Sequence, residues 1–294
     1  MKKILITGGS GLLGQYLNLA SAKKFNTFTT FRNNSGNCRN FPSSKIDVRN
    51  ANELGKLFEK LQPDIVIHTA AITNPIPKEN LTTKDYFETN VIATKNIAEL
   101  CEQHKSKFIY ISTDLVYAGY RGSFLKEDAK FIPATLYAET KLVGEQKVKD
   151  STDNYLILRT ALLYGIGLNH SRCHFQNMLD DLKNKKPAKL FVDQFRTPIS
   201  LIDAAQIIVD LALMDLKKEI INLGGLERVS RFELGEILCG LAGFDKNLMQ
   251  KIKMDDIPNF PKVQDVSLNT EKLQSLGLKP GTIEENIREI INVK

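Results

Sequence analysis

The apolar positions of the chain fall into two alternating rhythms. Short unbroken runs such as Ile4-Leu5-Ile6, Ile65-Val66-Ile67, Phe108-Ile109-Tyr110-Ile111 and Tyr155-Leu156-Ile157-Leu158 read as strands buried on both faces. Between them, apolar residues recur three and four apart, as in Leu12, Leu13, Tyr16, Leu17 and Leu19, through about Ala22. Further strands are expected over Phe25 to Phe31 and in a short segment closing at Asp47-Val48-Arg49. Asn50, with Glu53 three residues on, predicts the start of a helix to about Leu61, broken at Pro63. One long helix is expected from Lys84 to His104, and another from Ala134 to Lys149 with Pro133 near its first turn.

Strands that alternate with helices predict a parallel sheet covered on both faces, with right-handed crossovers. The expected fold is therefore α/β, a Rossmann-type doubly wound sheet whose ligands sit beyond the carboxyl ends of the strands. After Tyr164 the rhythm loosens. A helix over Phe175 to Lys183, an apolar segment Lys189 to Val192, a helix over 202–216, a strand over Ile220 to Leu223 and a final helix over Ile283 to Ile291 are expected. Residues 1–164 would form the dinucleotide-binding domain, with 197–224 returning to it. Residues 165–196 and 225–294 would form mainly a smaller C-terminal substrate-binding lobe.

The first strand runs straight into Thr7-Gly8-Gly9-Ser10-Gly11-Leu12-Leu13-Gly14. Glycines three apart between a strand and a helix fit a pyrophosphate-binding turn. Gly8 permits the sharp turn, Gly11 lets the backbone approach the phosphates, and Gly14 lets helix and strand pack closely. Ser10, Leu12 and Leu13 complete the loop that turns the free N–H groups of the helix toward the anion.

Composition narrows the picture little. With 294 residues, 42% hydrophobic and 25% charged, the chain is an ordinary globular one. Its net charge of +6 comes from scattered lysines, with no basic, aromatic-interleaved stretch that would predict nucleic-acid binding. Cys38, Cys101, Cys173 and Cys239 are far apart and read as reduced thiols. The Lys2-Lys3 start is too short for a signal peptide and no stretch reaches membrane-spanning length, so a cytoplasmic protein without membrane contact is expected.

Two stretches carry candidate chemistry. Tyr137 and Lys141, four apart, share one helix face, where an ammonium would lower the tyrosine pKa and let the hydroxyl serve a carbonyl oxygen as proton donor. The strand before that helix ends in Ser112-Thr113-Asp114, and Thr113 could hydrogen-bond the same oxygen. The second strand ends in Phe31-Arg32-Asn33. No acid stands there for the ribose hydroxyls of NAD, and Arg32 could clamp a 2′-phosphate, so NADP is favoured with NAD the other option. His68 reads as a packed strand residue. His170, Cys173 and His174 have metal-like spacing but no second ligand pair, so no metal is expected. Phe232, Leu234, Ile237 and Leu238 read as a core-facing helix stripe.

On these residues the chain resembles the extended short-chain dehydrogenase/reductase family. The Gly8–Gly14 loop, Thr113, the Tyr137-x3-Lys141 pair and Asn90 in Thr89-Asn90-Val91 match its motifs. Ser112-Thr-Asp-Leu-Val-Tyr-Ala-Gly119, Leu136 to Glu145, Leu158 to Tyr164, Val192 to Pro198 and Ser267 to Leu273 are similar to the dTDP-4-dehydrorhamnose reductase branch. The resemblance implies Thr113, Tyr137 and Lys141 as catalytic residues and a cofactor site of Gly8, Ser10, Gly11, Leu12, Leu13, Gly14, Arg32, Asp47, Val48, Ala70, Ala71, Asn90, Tyr137 and Lys141. It implies Asp114, Gln194 and Arg196 as substrate contacts, a nucleotide-sugar substrate and, as one expectation, a homodimer. Leu115 stands where related dehydratases carry a second acid, which implies plain carbonyl reduction. Leu162 replaces the branch's usual Trp, and Arg196 its usual Gly, so the sugar stays open. The methionine adenosyltransferase regulatory subunit, a binding protein with a similar arginine-bearing loop, offers the alternative of NADP binding without turnover.

Overall fold

The computed structural model describes residues 1–74, 81–120 and 122–292. In the first half, β1 (Lys3–Thr7), α1 (Leu12–Ser21), β2 (Asn26–Phe31), β3 (Ser43–Lys45), α2 (Ala51–Leu61) and β4 (Ile65–His68) follow in turn. They are followed by α3 (Thr83–Phe87), α4 (Ala93–Gln103), β5 (Lys107–Thr113), α5 (Leu136–Ser151) and β6 (Tyr155–Thr160).

The second half holds β7 (Leu163–Tyr164), α6 (His174–Lys183), β8 (Ala188–Phe191), β9 (Phe195–Arg196), β10 (Ile199–Ser200), α7 (Leu201–Leu213) and β11 (Glu219–Leu223). After these come β12 (Val229–Ser230), α8 (Arg231–Ala242), β13 (Met249–Ile252), α9 (Glu271–Ser275) and α10 (Ile283–Asn292).

Seven strands form one parallel sheet in the order β11-β6-β5-β4-β1-β2-β3. The order reverses direction at β1, where β2 lies on one side and β4 on the other, so a crevice opens at the carboxyl end of β1. The pleat explains the two layers. Ile4 and Ile6 enter one core with Leu13 and Leu17 of α1 and Ala204, Ile208 and Leu211 of α7. Leu5 enters the opposite core with Leu54 and Phe58 of α2, Ile97 of α4 and Val148 of α5. The sheet is thus covered on both faces, the doubly wound arrangement the periodicity predicts.

A separate core joins Phe175 and Leu179 of α6, Leu190 of β8, Phe232 and Leu238 of α8, and Ile283 and Ile287 of α10. Short strand pairs β8–β13 and β9–β12 brace it. β11 pairs with β6 in the main sheet, and Leu273 of α9 packs into the core beneath that sheet.

The single helix expected over Lys84 to His104 is broken into α3, a π-helical turn over Glu88–Ile92, and α4. α3 opens on a capping box between Thr82 and Asp85 that the apolar spacing alone does not disclose. α5 starts two residues later than expected, because Thr135 caps it by accepting from the Ala138 N–H at 3.1 Å. Residues 75–80, within the proline-bearing stretch from Thr73 to Thr82, lie outside the described residues.

Candidate active site

The glycine turn is built as its spacing requires. Gly8 has φ +72°, and a Cβ there would sit 2.6 Å from the Ala70 nitrogen. A Cβ on Gly14 would collide with the Gly8 carbonyl oxygen, so only glycine lets α1 seat this close to β1. Gly9 is required too, since a Cβ there would strike the Thr29 hydroxyl of β2. Gly11 is the N-cap of α1 and no side chain caps it, which leaves N–H groups of the first turn facing the crevice.

Three cavities line up along the strand ends. The first, about 370 Å³, is lined by Gly11 to Gly14, Thr113, Asp114, Tyr137, Lys141 and Leu162. The second, about 220 Å³, is lined by Gly8, Ser10, Gly11, Arg32, Asp47, Val48, Ala70, Ala71 and Thr89. Gly11, Thr69 and Ala71 belong to both, so the two form one trough crossing the glycine turn. The third, about 100 Å³, is lined by Asp114, Leu115, Thr135, Gln194, Arg196, Arg231, Phe260, Pro261 and Val263.

Most residues singled out by sequence meet in this trough, while Gln194 and Arg196 line only the third cavity. Asn90 lines none of the three cavities. Its amide oxygen accepts from the Ile72 N–H at 2.9 Å, and its nitrogen donates to the Ile72 carbonyl and the Thr140 hydroxyl, both at 3.0 Å. It ties the loop after β4 to α5 and so braces the helix that carries Tyr137 and Lys141. The π-helical turn around it is the local distortion that aims this side chain out of the helix. Asp47 lines the second cavity, but its carboxylate is held by Arg49, which approaches to 2.7 Å and keeps its pKa below the ordinary value. Arg32 is exposed and makes no hydrogen bond or ion pair among the described residues, and its charge acts on Asp47 and Asp85.

At the centre, the Thr113 hydroxyl donates to Asp114 Oδ1 at 3.1 Å and lines the first cavity beside Tyr137. Burial pushes Tyr137 well above its ordinary value, Thr113 pulls it down, and Asp114 pushes it further up. The help expected from Lys141 is missing from this balance. Burial pulls Lys141 itself down to about 7, with Glu145 pushing it back up. Its Nζ lies over the Tyr110 ring, 3.8 Å from the centroid.

Asp114 is 4% exposed, and burial raises its pKa to about 6 against the pull of Arg196 and of Thr113. Arg196 Nε stands 3.6 Å from Asp114 Oδ2. Arg231, the first residue of α8, also faces this group, and burial together with Arg196 brings it down to about 10. Sequence reading passed over Arg231. The available signal was the Ser230-x-x-Glu233 capping box, which puts residue 231 at the mouth of the helix.

Behind the site, Glu145 accepts from Ser112 at 2.6 Å and pairs with the fully buried Arg159 at 2.7 Å. Arg159 also donates to the Tyr117 hydroxyl and the Glu127 carbonyl, both at 2.7 Å. This joins α5 to the end of β5. His68 is fully buried: Thr94 donates to the Asn90 carbonyl, so the His68 Nε2–H donates to Thr94 at 3.1 Å, and Nδ1 accepts from Thr7 at 2.6 Å. Among the described residues, no three His, Cys, Asp or Glu side chains are placed to hold a metal ion, and no helix is long and apolar enough to cross a membrane.

The family model of the RmlD substrate binding domain matches residues 1–294. The chain belongs to that family. It is 24% identical to dTDP-4-dehydrorhamnose reductase of Aggregatibacter actinomycetemcomitans, over 99% of this chain and 98% of that protein. It is 26% identical to methionine adenosyltransferase 2 subunit beta of Xenopus tropicalis, over 94% of this chain and 83% of that protein. Its fold is that of dTDP-4-dehydrorhamnose reductase of Bacillus anthracis, solved in complex with NADP, with a TM-score of 0.86, 22% identity and 99% of each chain covered.

Proposed function

We propose that the chain is an NADP-dependent oxidoreductase that reduces the keto group of a nucleotide sugar, of the dTDP-4-dehydrorhamnose type. The observation that carries this reading is the meeting of Thr113, Tyr137, Lys141 and the uncapped start of α1 around one trough. The trough fits a dinucleotide phosphate. The glycine turn leaves room for a pyrophosphate against backbone N–H groups, and Arg32 suits a 2′-phosphate at the far end. The family and its reductase members support the same reading.

In this reading the bound nicotinamide, when reduced, supplies a hydride to the substrate carbonyl carbon. Thr113 and Tyr137 hold the carbonyl oxygen, and Tyr137 gives it a proton. Lys141, whose pKa burial brings down to about 7, would hold the nicotinamide ribose as a hydrogen-bond donor. Ala70 and Ala71 leave space beneath the dinucleotide. Gln194 and Arg196, from the smaller lobe, hold the substrate, Arg196 through its phosphates. Residues 165–196 and 225–294 would supply mainly substrate contacts and residues 1–164 mainly cofactor contacts.

The test is NADPH oxidation with a dTDP-4-keto-6-deoxy sugar. Turnover is expected for the wild type, and Tyr137→Phe should abolish it while NADPH still binds. The likeness to the methionine adenosyltransferase subunit supports a second reading, NADP binding without turnover. An inert wild type that binds NADPH and co-purifies with a partner enzyme would favour it.

A further inference from the structure

The central site holds one acid that proton donation by Tyr137 does not use. Asp114 is buried, and its Oδ2 has no hydrogen-bond partner. It lines both the first cavity, with Tyr137, and the third, with Arg196 and Arg231. Its other oxygen meets the Thr113 hydroxyl at 3.1 Å, and Thr113 lines the first cavity together with Tyr137. Tyr137, Thr113 and Asp114 thus line the reacting centre together, and Asp114 alone of the three also lines the third cavity.

We infer that Asp114, as a carboxylic acid, returns the proton to Tyr137 through the Thr113 hydroxyl after each reduction. The inference rests on the carbonyl-reductase reading above. The carbonyl carbon accepts the hydride that the reduced nicotinamide supplies, and the carbonyl oxygen takes the Tyr137 proton. The phenolate left behind takes the Thr113 hydroxyl proton as Thr113 takes the proton of Asp114. The Asp114 carboxylate then takes a proton from water entering by the third cavity. The sum is carbonyl plus hydride plus one solvent proton giving the alcohol.

The electrostatics favour this direction of flow. A phenolate in this buried setting is a far stronger base than a carboxylate, so the transfer runs downhill. The groups that face Asp114 are Thr113 and the Leu115 N–H beside it, Tyr137 from α5, Arg196 from β9 and Arg231 from α8. Arg196 opposes protonation, and burial favours it. Substrate phosphates seated on Arg196 take up that guanidinium and leave burial to hold the proton on Asp114.

Single-turnover and steady-state rates of NADPH oxidation separate this role from simple substrate orientation. Asp114→Asn should give a fast first turnover, one per site, followed by turnovers about tenfold slower or more, since Tyr137 starts protonated and is refilled slowly. The wild type should show no such burst. Equal slowing of first and later turnovers, or no slow phase, overturns the relay. In the cofactor-free protein, infrared spectra should show a protonated carboxyl band at pH 5 that is lost at pH 8 and absent from Asp114→Asn. A wild type without that band overturns the proposal as well. Should the variant not fold, a bowed dependence of the wild-type rate on the D2O fraction supports two protons in flight, and a linear one overturns the relay. A wild type inert toward keto-sugars overturns the underlying reading, whereas an active one with no burst in the variant overturns the relay alone.

Discussion

Asp114 Oδ2 and Arg196 Nε stand 3.6 Å apart with both side chains buried, one at the end of β5 and the other in β9 of the smaller lobe. Each group is buried against the other, so removing either one leaves its partner without a counter-group. Replacing Arg196 by Gln should raise KM for the nucleotide sugar about 10- to 100-fold, a loss of roughly 1.4–2.8 kcal/mol, with the NADPH Kd unchanged. Steady-state kinetics and NADPH titration check both halves; a weakened NADPH affinity would place Arg196 on the cofactor.

Arg32 lines the second cavity while Asp47 is engaged by Arg49. Arg32→Ala is expected to weaken NADPH binding about tenfold and to leave NADH binding unchanged, because only the 2′-phosphate is lost as a partner. Fluorescence titration with the two nucleotides measures the ratio.

His68 sets a pH dependence of stability. Burial and the nearby Lys141 depress its pKa to about 3. The unfolded chain then takes up a proton near pH 6.5 that the folded one refuses. The stabilisation is therefore complete above about pH 6.5 and is lost as pH falls toward about 3, to a total of roughly 5 kcal/mol. Urea unfolding at pH 7 and pH 4 should show the fall. His68→Gln, though less stable at pH 7, should flatten it.

Glu145 is 1% exposed and Arg159 fully buried, and the pair is bidentate. Glu145→Ala leaves a guanidinium without its counter-charge and should cost about 3–5 kcal/mol in urea unfolding. Lys84→Ala, which breaks an exposed i,i+4 pair with Glu88, should cost no more than about 0.5 kcal/mol. Similar losses in the two variants would mean that water reaches Arg159.

Sequence alone determined the strand–turn–helix start, because a run buried on both faces and glycines three apart permit few other folds. It marked Tyr137 and Lys141, because a helix places residues four apart on one face whatever surrounds them. The sequence could not show that burial would bring Lys141 down to about 7, since desolvation depends on what packs around a group. Nor could it show the π-helical turn around Asn90, whose side chain answers to Ile72 and Thr140 on other elements. Arg231 escaped notice for the same reason. The capping box beside it marks only a helix start, and its place beside Asp114 and Arg196 exists only because α8, β9 and the end of β5 converge. Local pattern thus decided the elements and the cofactor turn. The charges that meet at the reacting centre come from segments far apart in the chain, and the tertiary structure alone brings them together.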